Sequence, residues 1–167
     1  RYNNYKLDIY SYNDFLTSDI SNLKSLFLTD LNLLSVDLLS KISNKNINLV
    51  IIPSVFNQEI GTDVMLEKFN IESYKPIFLN DGSFVSLHES ISNSYFNNLY
   101  TTENKYRFIK VFNYINIHSD DNTIIRYNNN SAFLNKYYLN GNNIYLFTTS
   151  FNLNDNNIPL KGTFIPL

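Results

Sequence analysis

Two short apolar runs flanking a helical pattern constrain this chain more than any other feature of it. Leu26-Phe-Leu-Thr-Asp30 reads as a short buried strand and Ile47-Asn-Leu-Val-Ile-Ile52 as a fully buried one, because neither keeps a polar face. Between them, Ser35 is placed to cap Val36-Asp-Leu-Leu-Ser-Lys-Ile42, whose Val36, Leu39 and Ile42 recur at helical spacing. A strand–helix–strand crossover of this length makes the two strands parallel neighbours. Tyr5 to Tyr10 alternates like a further strand, and Asp14 to Ser25 supplies a weaker helical segment between it and Leu26. The first third therefore predicts an α/β unit.

The pattern changes further on. Pro53 ends the second buried strand, and Asn57 to Phe69 fits either a short helix or an irregular loop. Asn80-Asp81-Gly82 is a turn signal before Phe84-Val-Ser-Leu87. From Tyr106 onward, strands separated by polar turns are expected. Phe108 to Ile117 reads as one long strand, followed by Thr123 to Tyr127, Ala132 to Leu139 and Ile144 to Thr149. Asn140-Gly141 between two apolar runs is a strong hairpin signal.

Composition bounds function mainly by exclusion. The 167 residues suit one domain, and 44% hydrophobic residues suffice for a sizeable core. Thirteen Tyr and 13 Phe carry much of the apolar volume, while Ala132 is the single alanine. About one residue in six is Asn, which together with abundant Lys, Ile, Tyr and Phe points to A+T-rich codons rather than to function. The Asn residues are interleaved with regular apolar strands, which argues against prion-like behaviour. A net charge of −2, with Lys105, Arg107 and Lys110 the closest basic group, gives no stripe for nucleic acid. Without cysteine there is no disulfide, thiolate metal site or cysteine nucleophile. No apolar run is long enough for a membrane span.

The C-terminal residues carry a resemblance. Asn140-Gly141, Ile144-Tyr-Leu-Phe-Thr-Thr-Ser150, a polar loop, Asn157-Ile-Pro-Leu160 and Gly162-Thr-Phe-Ile-Pro-Leu167 resemble the end of the soluble region of BatA-type, aerotolerance-related membrane proteins. Leu26-Phe-Leu-Thr-Asp30 and Leu49-Val-Ile-Ile-Pro-Ser54 are similar to the parallel strands of the same domain. The resemblance covers the two ends and little of residues 55–105. It implies a three-layer α/β fold, flavodoxin- or glutamine amidotransferase-like, with a mostly parallel central sheet and an antiparallel C-terminal extension. It also implies a single domain over residues 1–167, excised from a longer protein and anchored by segments outside this chain. An extracytoplasmic position is expected, with other envelope proteins or other domains of the same chain as partners. Relatives carry a Gly-rich turn where Asn44-Lys-Asn46 stands here, and Asn tolerates the left-handed backbone such a turn needs. Amidotransferases of this fold use a cysteine nucleophile that this chain lacks, so a non-enzymatic module without cofactor or metal is expected.

Ser54 follows a buried strand, where an α/β nucleophile sits, but Pro53 and Val55-Phe56 are too bulky for a strained elbow. His88 and His118 are the two histidines, with Glu89, Asp120 and Asp121 near them in sequence. A serine hydrolase centred on Ser54 is thus the weaker alternative. His118-Ser-Asp-Asp121 suits a solvated turn better than a metal site. Asp19-Ile-Ser21 begins like a metal-binding loop, yet Leu23 occupies a ligand position. Asp30 reads as a cap, and Asn129-Asn-Ser131 is a sequon expected by chance. One binding alternative remains: Tyr127, Tyr137, Tyr138 and Tyr145 on neighbouring strands form a platform for carbohydrate or peptide. Adjacent tyrosines on a strand face opposite ways, so at most half of the set shares a surface.

Overall fold

The computed structural model describes residues 6–56, 59–87 and 109–160. In chain order, helix α1 (Tyr12–Thr17) precedes strand β1 (Ser25–Leu28), a 3-10 turn (Leu31–Leu33), α2 (Val36–Ile42), β2 (Asn48–Ile51) and α3 (Glu59–Phe69). Then come β3 (Lys75–Phe78), β4 (Val85–Ser86), β5 (Lys110–Val111), β6 (Asn113–Asn116), β7 (Thr123–Arg126), β8 (Ala132–Leu139) and β9 (Asn142–Phe147), closed by a second 3-10 turn (Ile158–Leu160).

The main sheet is five-stranded in the order β1-β2-β9-β8-β7. Strands β1, β2 and β9 are mutually parallel, and β8 and β7 continue the sheet antiparallel. The sheet is therefore mixed: a parallel trio extended by an antiparallel pair, matching the expected parallel sheet with an antiparallel extension from the C-terminal half. The β1–α2–β2 crossover has the expected parallel register, Ser25 opposite Asn48 and Leu28 opposite Ile51. Ser35 caps α2, its Oγ accepting the Leu38 N–H at 3.1 Å. The buried face of α2 is Leu38, Leu39 and Ile42, whereas Val36 is 55% exposed. Val36 sits in the first turn, where the helix has rotated it off the sheet.

Two apolar cores lie against this sheet. On one face, Leu49, Ile51, Ile144 and Leu146 pack with Leu38, Leu39 and Ile42 of α2 and Met65 and Phe69 of α3. On the other, Leu134 and Phe147 pack with Val85, Val111, Ile125, Tyr127 and Ile158. Because β2 and β9 are flanked on both sides, Val50 and Ile52 also meet apolar neighbours, which is why the sequence shows no polar face there. Helix α3 approaches the first 3-10 turn so closely that a Cβ on Gly61 would lie 2.1 Å from the Leu31 carbonyl oxygen.

Three expectations are corrected. The alternating segment expected from Tyr5 to Tyr10 is no strand in its described part: residues 6–10 are exposed and pair with no strand, Ile9 to 90%. Alternation alone supplies no neighbour for the backbone. The helix expected within Asp14 to Ser25 starts earlier and ends at Thr17, with Ser11 as its cap. The single strand expected from Phe108 to Ile117 is split. Phe108 lies outside the described residues; β5 pairs with β4 and β6 with β3, in two separate small sheets. The split falls at Phe112, where the Phe112 and Asn113 N–H groups both donate to the Asp155 carbonyl, at 2.7 and 3.1 Å. Asn57 and Gln58 lie outside the described residues, as do His88, Glu89 and the Gly162–Leu167 motif.

Six described non-glycine residues adopt positive φ: Asn44, Asn46, Asn70, Asp81, Asn130 and Asn140. All are Asn or Asp, the residues that enter the left-handed region at least cost. Asn44 and Asn46 thus close the turn where a Gly-rich segment was the alternative, and Asn140-Gly141 turns β8 into β9.

Gly61→Ala is expected to destabilise the fold by about 2–3 kcal/mol, because the added methyl meets backbone that cannot rotate away. Urea unfolding of the two proteins checks this; an unchanged midpoint would show that α3 is free to slide on the 3-10 turn.

Candidate functional site

The sheet face opposite the helices is covered only at one end, and its open part is the most site-like surface among the described residues. Cross-strand register places Phe27 beside Val50, Val50 beside Tyr145, and Tyr145 beside Lys136. The next rung holds Ser25, Asn48, Asn143 and Tyr138. Phe27 is 56% and Tyr138 74% exposed, while Val50 and Tyr145 are half-buried against the second core. The Asn143 amide donates to Asn48 Oδ1 at 3.1 Å, and the Lys136 ammonium lies 5.6 Å from the centre of the Tyr145 ring. Rings, amides and one cation on one sheet face suit stacking and hydrogen bonding.

The four tyrosines named from the sequence do not share this surface. Tyr138 and Tyr145 lie on it. Tyr137 points to the helix side, where its ring stacks on Phe69 with centroids 4.9 Å apart and its hydroxyl accepts from the Asn135 amide at 3.0 Å. Tyr127 is fully buried in the second core, in a chain of ring contacts running from Tyr114 through Tyr127, Phe133 and Phe147 to Phe151. The four-membered platform is thus corrected to two tyrosines. Phe27 joins them, and the sequence missed it because a four-residue apolar run does not show which of its faces is covered.

The other candidates resolve locally. Ser54 follows β2, as expected, and its neighbours Pro53 and Val55 are both buried. His118 is exposed and bridges to Ser131 across a hairpin. The Asp120 carboxylate accepts from the Asn122 N–H at 2.9 Å and from the Asn122 amide at 3.0 Å, so this carboxylate is spent within its own turn. Asp19 accepts from the Ser21 N–H and hydroxyl at 2.9 and 3.1 Å, contacts that hold its carboxyl below the usual range. Asp30 caps the first 3-10 turn by accepting from the Asn32 N–H at 2.9 Å. Asn129 of the sequon donates to the Tyr114 hydroxyl and accepts from the Ser131 N–H. Among the described residues no group of three or more His, Asp or Glu side chains is gathered to hold a metal ion, and no helix is long and apolar enough to cross a membrane.

The C-terminal polar loop displays Asn152, Leu153 and Asn154 but builds Thr149, Asp155 and Asn156 into the fold. Thr149 Oγ1 donates to the Asn113 carbonyl at 2.8 Å and accepts from the Asn156 amide at 3.0 Å. Asp155 is buried and accepts from the Asn113 amide at 2.9 Å and from the Ser150 hydroxyl. The buried polar groups of this segment are thus satisfied within the fold.

Comparison of the chain with protein-family models, with curated proteins and with solved structures returned no match.

Burial pushes the hydroxyls of Tyr74 and Tyr127 well above the ordinary tyrosine range, and that of Tyr137 up to about 12 against an opposing pull from Asn135. Their contribution to stability is complete below the free-tyrosine value near pH 10 and is lost as pH rises through the folded values, because the unfolded chain gives up its protons first. Stability at pH 11 should fall by about 1 kcal/mol for each such group. Denaturant midpoints at rising pH check this, and Tyr127→Phe is expected to flatten the decline.

Proposed function

We propose that this chain is a non-catalytic, amidotransferase-like module of a membrane-anchored envelope protein, serving protein interaction or assembly on the extracytoplasmic side. Its partners are other envelope proteins or other domains of the same polypeptide, and segments outside this chain hold it at the membrane. One observation carries the non-catalytic reading. After β2, where this class of fold places its nucleophile, the chain runs through buried Pro53, Ser54 and buried Val55, without a cysteine and without small residues to form an elbow. The three-layer arrangement in this reading takes α1, α2 and α3 as one outer layer and the short antiparallel strands β3 to β6 as the other. The interaction reading draws on the open sheet face, where Phe27 and Tyr138 remain exposed.

A second reading, carbohydrate or peptide binding, is favoured by the pairing of Tyr138 and Tyr145 with the Asn48 and Asn143 amides on that same face. Ring faces flanked by amides are the chemistry that recognises a sugar ring.

The membrane reading is tested by fractionating cells that express the whole gene product. It should sediment with membranes and be cut by protease added from outside the cytoplasmic membrane; recovery in the cytoplasmic fraction would overturn it. Ser54→Ala should leave ester hydrolysis at the background of the wild-type chain, and a turnover that vanishes with Ser54 would instead establish the hydrolase. Calorimetry with oligosaccharides separates the second reading: binding that Tyr138→Ala weakens about tenfold or more favours it.

A further inference from the structure

Strand β1 is an outermost strand of the main sheet among the described residues. Its inner side is used by β2: the Lys24 carbonyl accepts from the Asn48 N–H at 2.9 Å and the Leu28 carbonyl from the Ile52 N–H at 2.8 Å. Backbone groups alternate sides along a strand, so within β1 Ser25 and Phe27 direct their N–H and C=O groups outward. Phe27, at the centre, is more than half exposed. Proteins blunt such edges when they are to stay single, with charges, prolines or a covering segment.

This edge is instead complementary to itself. Written antiparallel against a second copy and centred on Phe27, Lys24-Ser-Leu-Phe-Leu-Thr-Asp30 pairs Lys24 with Asp30, Ser25 with Thr29, Leu26 with Leu28, and Phe27 with Phe27. Opposed residues of an antiparallel pair point to the same face. Leu26 and Leu28 both belong to the helix-side core, and Phe27 and Ser25 both face the other side, so every rung matches. The hydrogen-bonding phase matches as well, since Phe27 directs its backbone outward and the central pair exchanges both N–H···O bonds. At each end an ammonium meets a carboxylate: Lys24 is exposed, and one oxygen of Asp30 is taken by the Asn32 N–H while the other is left for the second copy.

We propose that β1 is a homodimer interface, in which two copies join edge to edge about a two-fold axis through Phe27 and merge their five-stranded sheets into one. An isologous contact of this kind requires the same patch on both subunits to be self-complementary, and the opposed charges supply the register. The inference goes beyond the interaction module proposed above and holds whatever the membrane context.

Sedimentation equilibrium of the 167-residue chain at about 100 µM is expected to give twice the 19.5 kDa chain mass. Phe27→Lys places two like charges across the axis and should raise the dimer dissociation constant at least about tenfold, with an unchanged circular dichroism spectrum. Phe27→Pro removes the outward N–H without touching the bonds to β2 and should act in the same direction. Phe27→Tyr should preserve the dimer. A wild-type chain that is monomeric at that concentration, or a dimer indifferent to both disruptive variants, overturns the proposal; loss of the dimer in folded Phe27→Lys supports it.

Discussion

The side-chain amide of Asn142 ties together segments that are remote from one another in the sequence. Its Oδ1 accepts from the Ile47 N–H at 2.8 Å, and its Nδ2 donates to the Ile42 and Asn140 carbonyls, each at 3.0 Å. One buried group thereby satisfies the end of α2, the entry to β2 and the β8–β9 turn, across about a hundred residues of sequence. Beside it the Asn44 N–H reaches the Asn140 carbonyl at 2.7 Å. A parallel neighbour of β2 has to arrive from far along the chain, and this junction fixes the register in which β9 arrives. Removing the amide would leave buried backbone groups unpaired, which costs more than the bonds themselves contribute.

With β9 placed between β2 and β8, the sheet acquires its two different faces. The helix side is sealed by α2 and α3 into a continuous apolar layer. Among the described residues the other side is sealed only where β4, β5 and the C-terminal loop lie over it. Phe27, Tyr138 and the Asn48–Asn143 pair are left at the uncovered end. The loop from Thr148 to Ile158 decides where the cover stops. Its buried Asp155 and Asn156 hold the junction of β5 and β6, and through it the two small sheets.

Much of this was legible in the sequence because it is locally determined. The Ser35 cap, the β1–α2–β2 crossover, the strand from Ala132 to Leu139 and the Asn140-Gly141 turn each depend on residues within a few positions of one another. What was not legible depends on partners remote in sequence. The break at Phe112 is set by Asp155, and residues 6–10 alternate like a strand without a neighbour to pair with among the described residues. Tyr127 and Tyr138 are the same residue type on adjacent strands, yet one is sealed in a core and the other is exposed, because burial follows from what lies over each face. The exposed half of the candidate site was hidden for the same reason: Phe27 looks like core until the far side of β1 is seen to be uncovered by the described residues.

The left-handed corners at Asn44, Asn46, Asn70, Asn130 and Asn140 bear on the unfolded chain as much as on the folded one. A protein with only four glycines turns these corners with a residue that still carries a Cβ. Each such corner leaves the unfolded chain fewer conformations to surrender than glycine would, but its Cβ also meets strain in the left-handed region that the short polar side chain only lessens, so the two effects oppose each other. The asparagine excess, whatever its origin in codon usage, thus supplies at these corners the L-residue that enters the left-handed region at least cost, without the full chain entropy that glycine would bring.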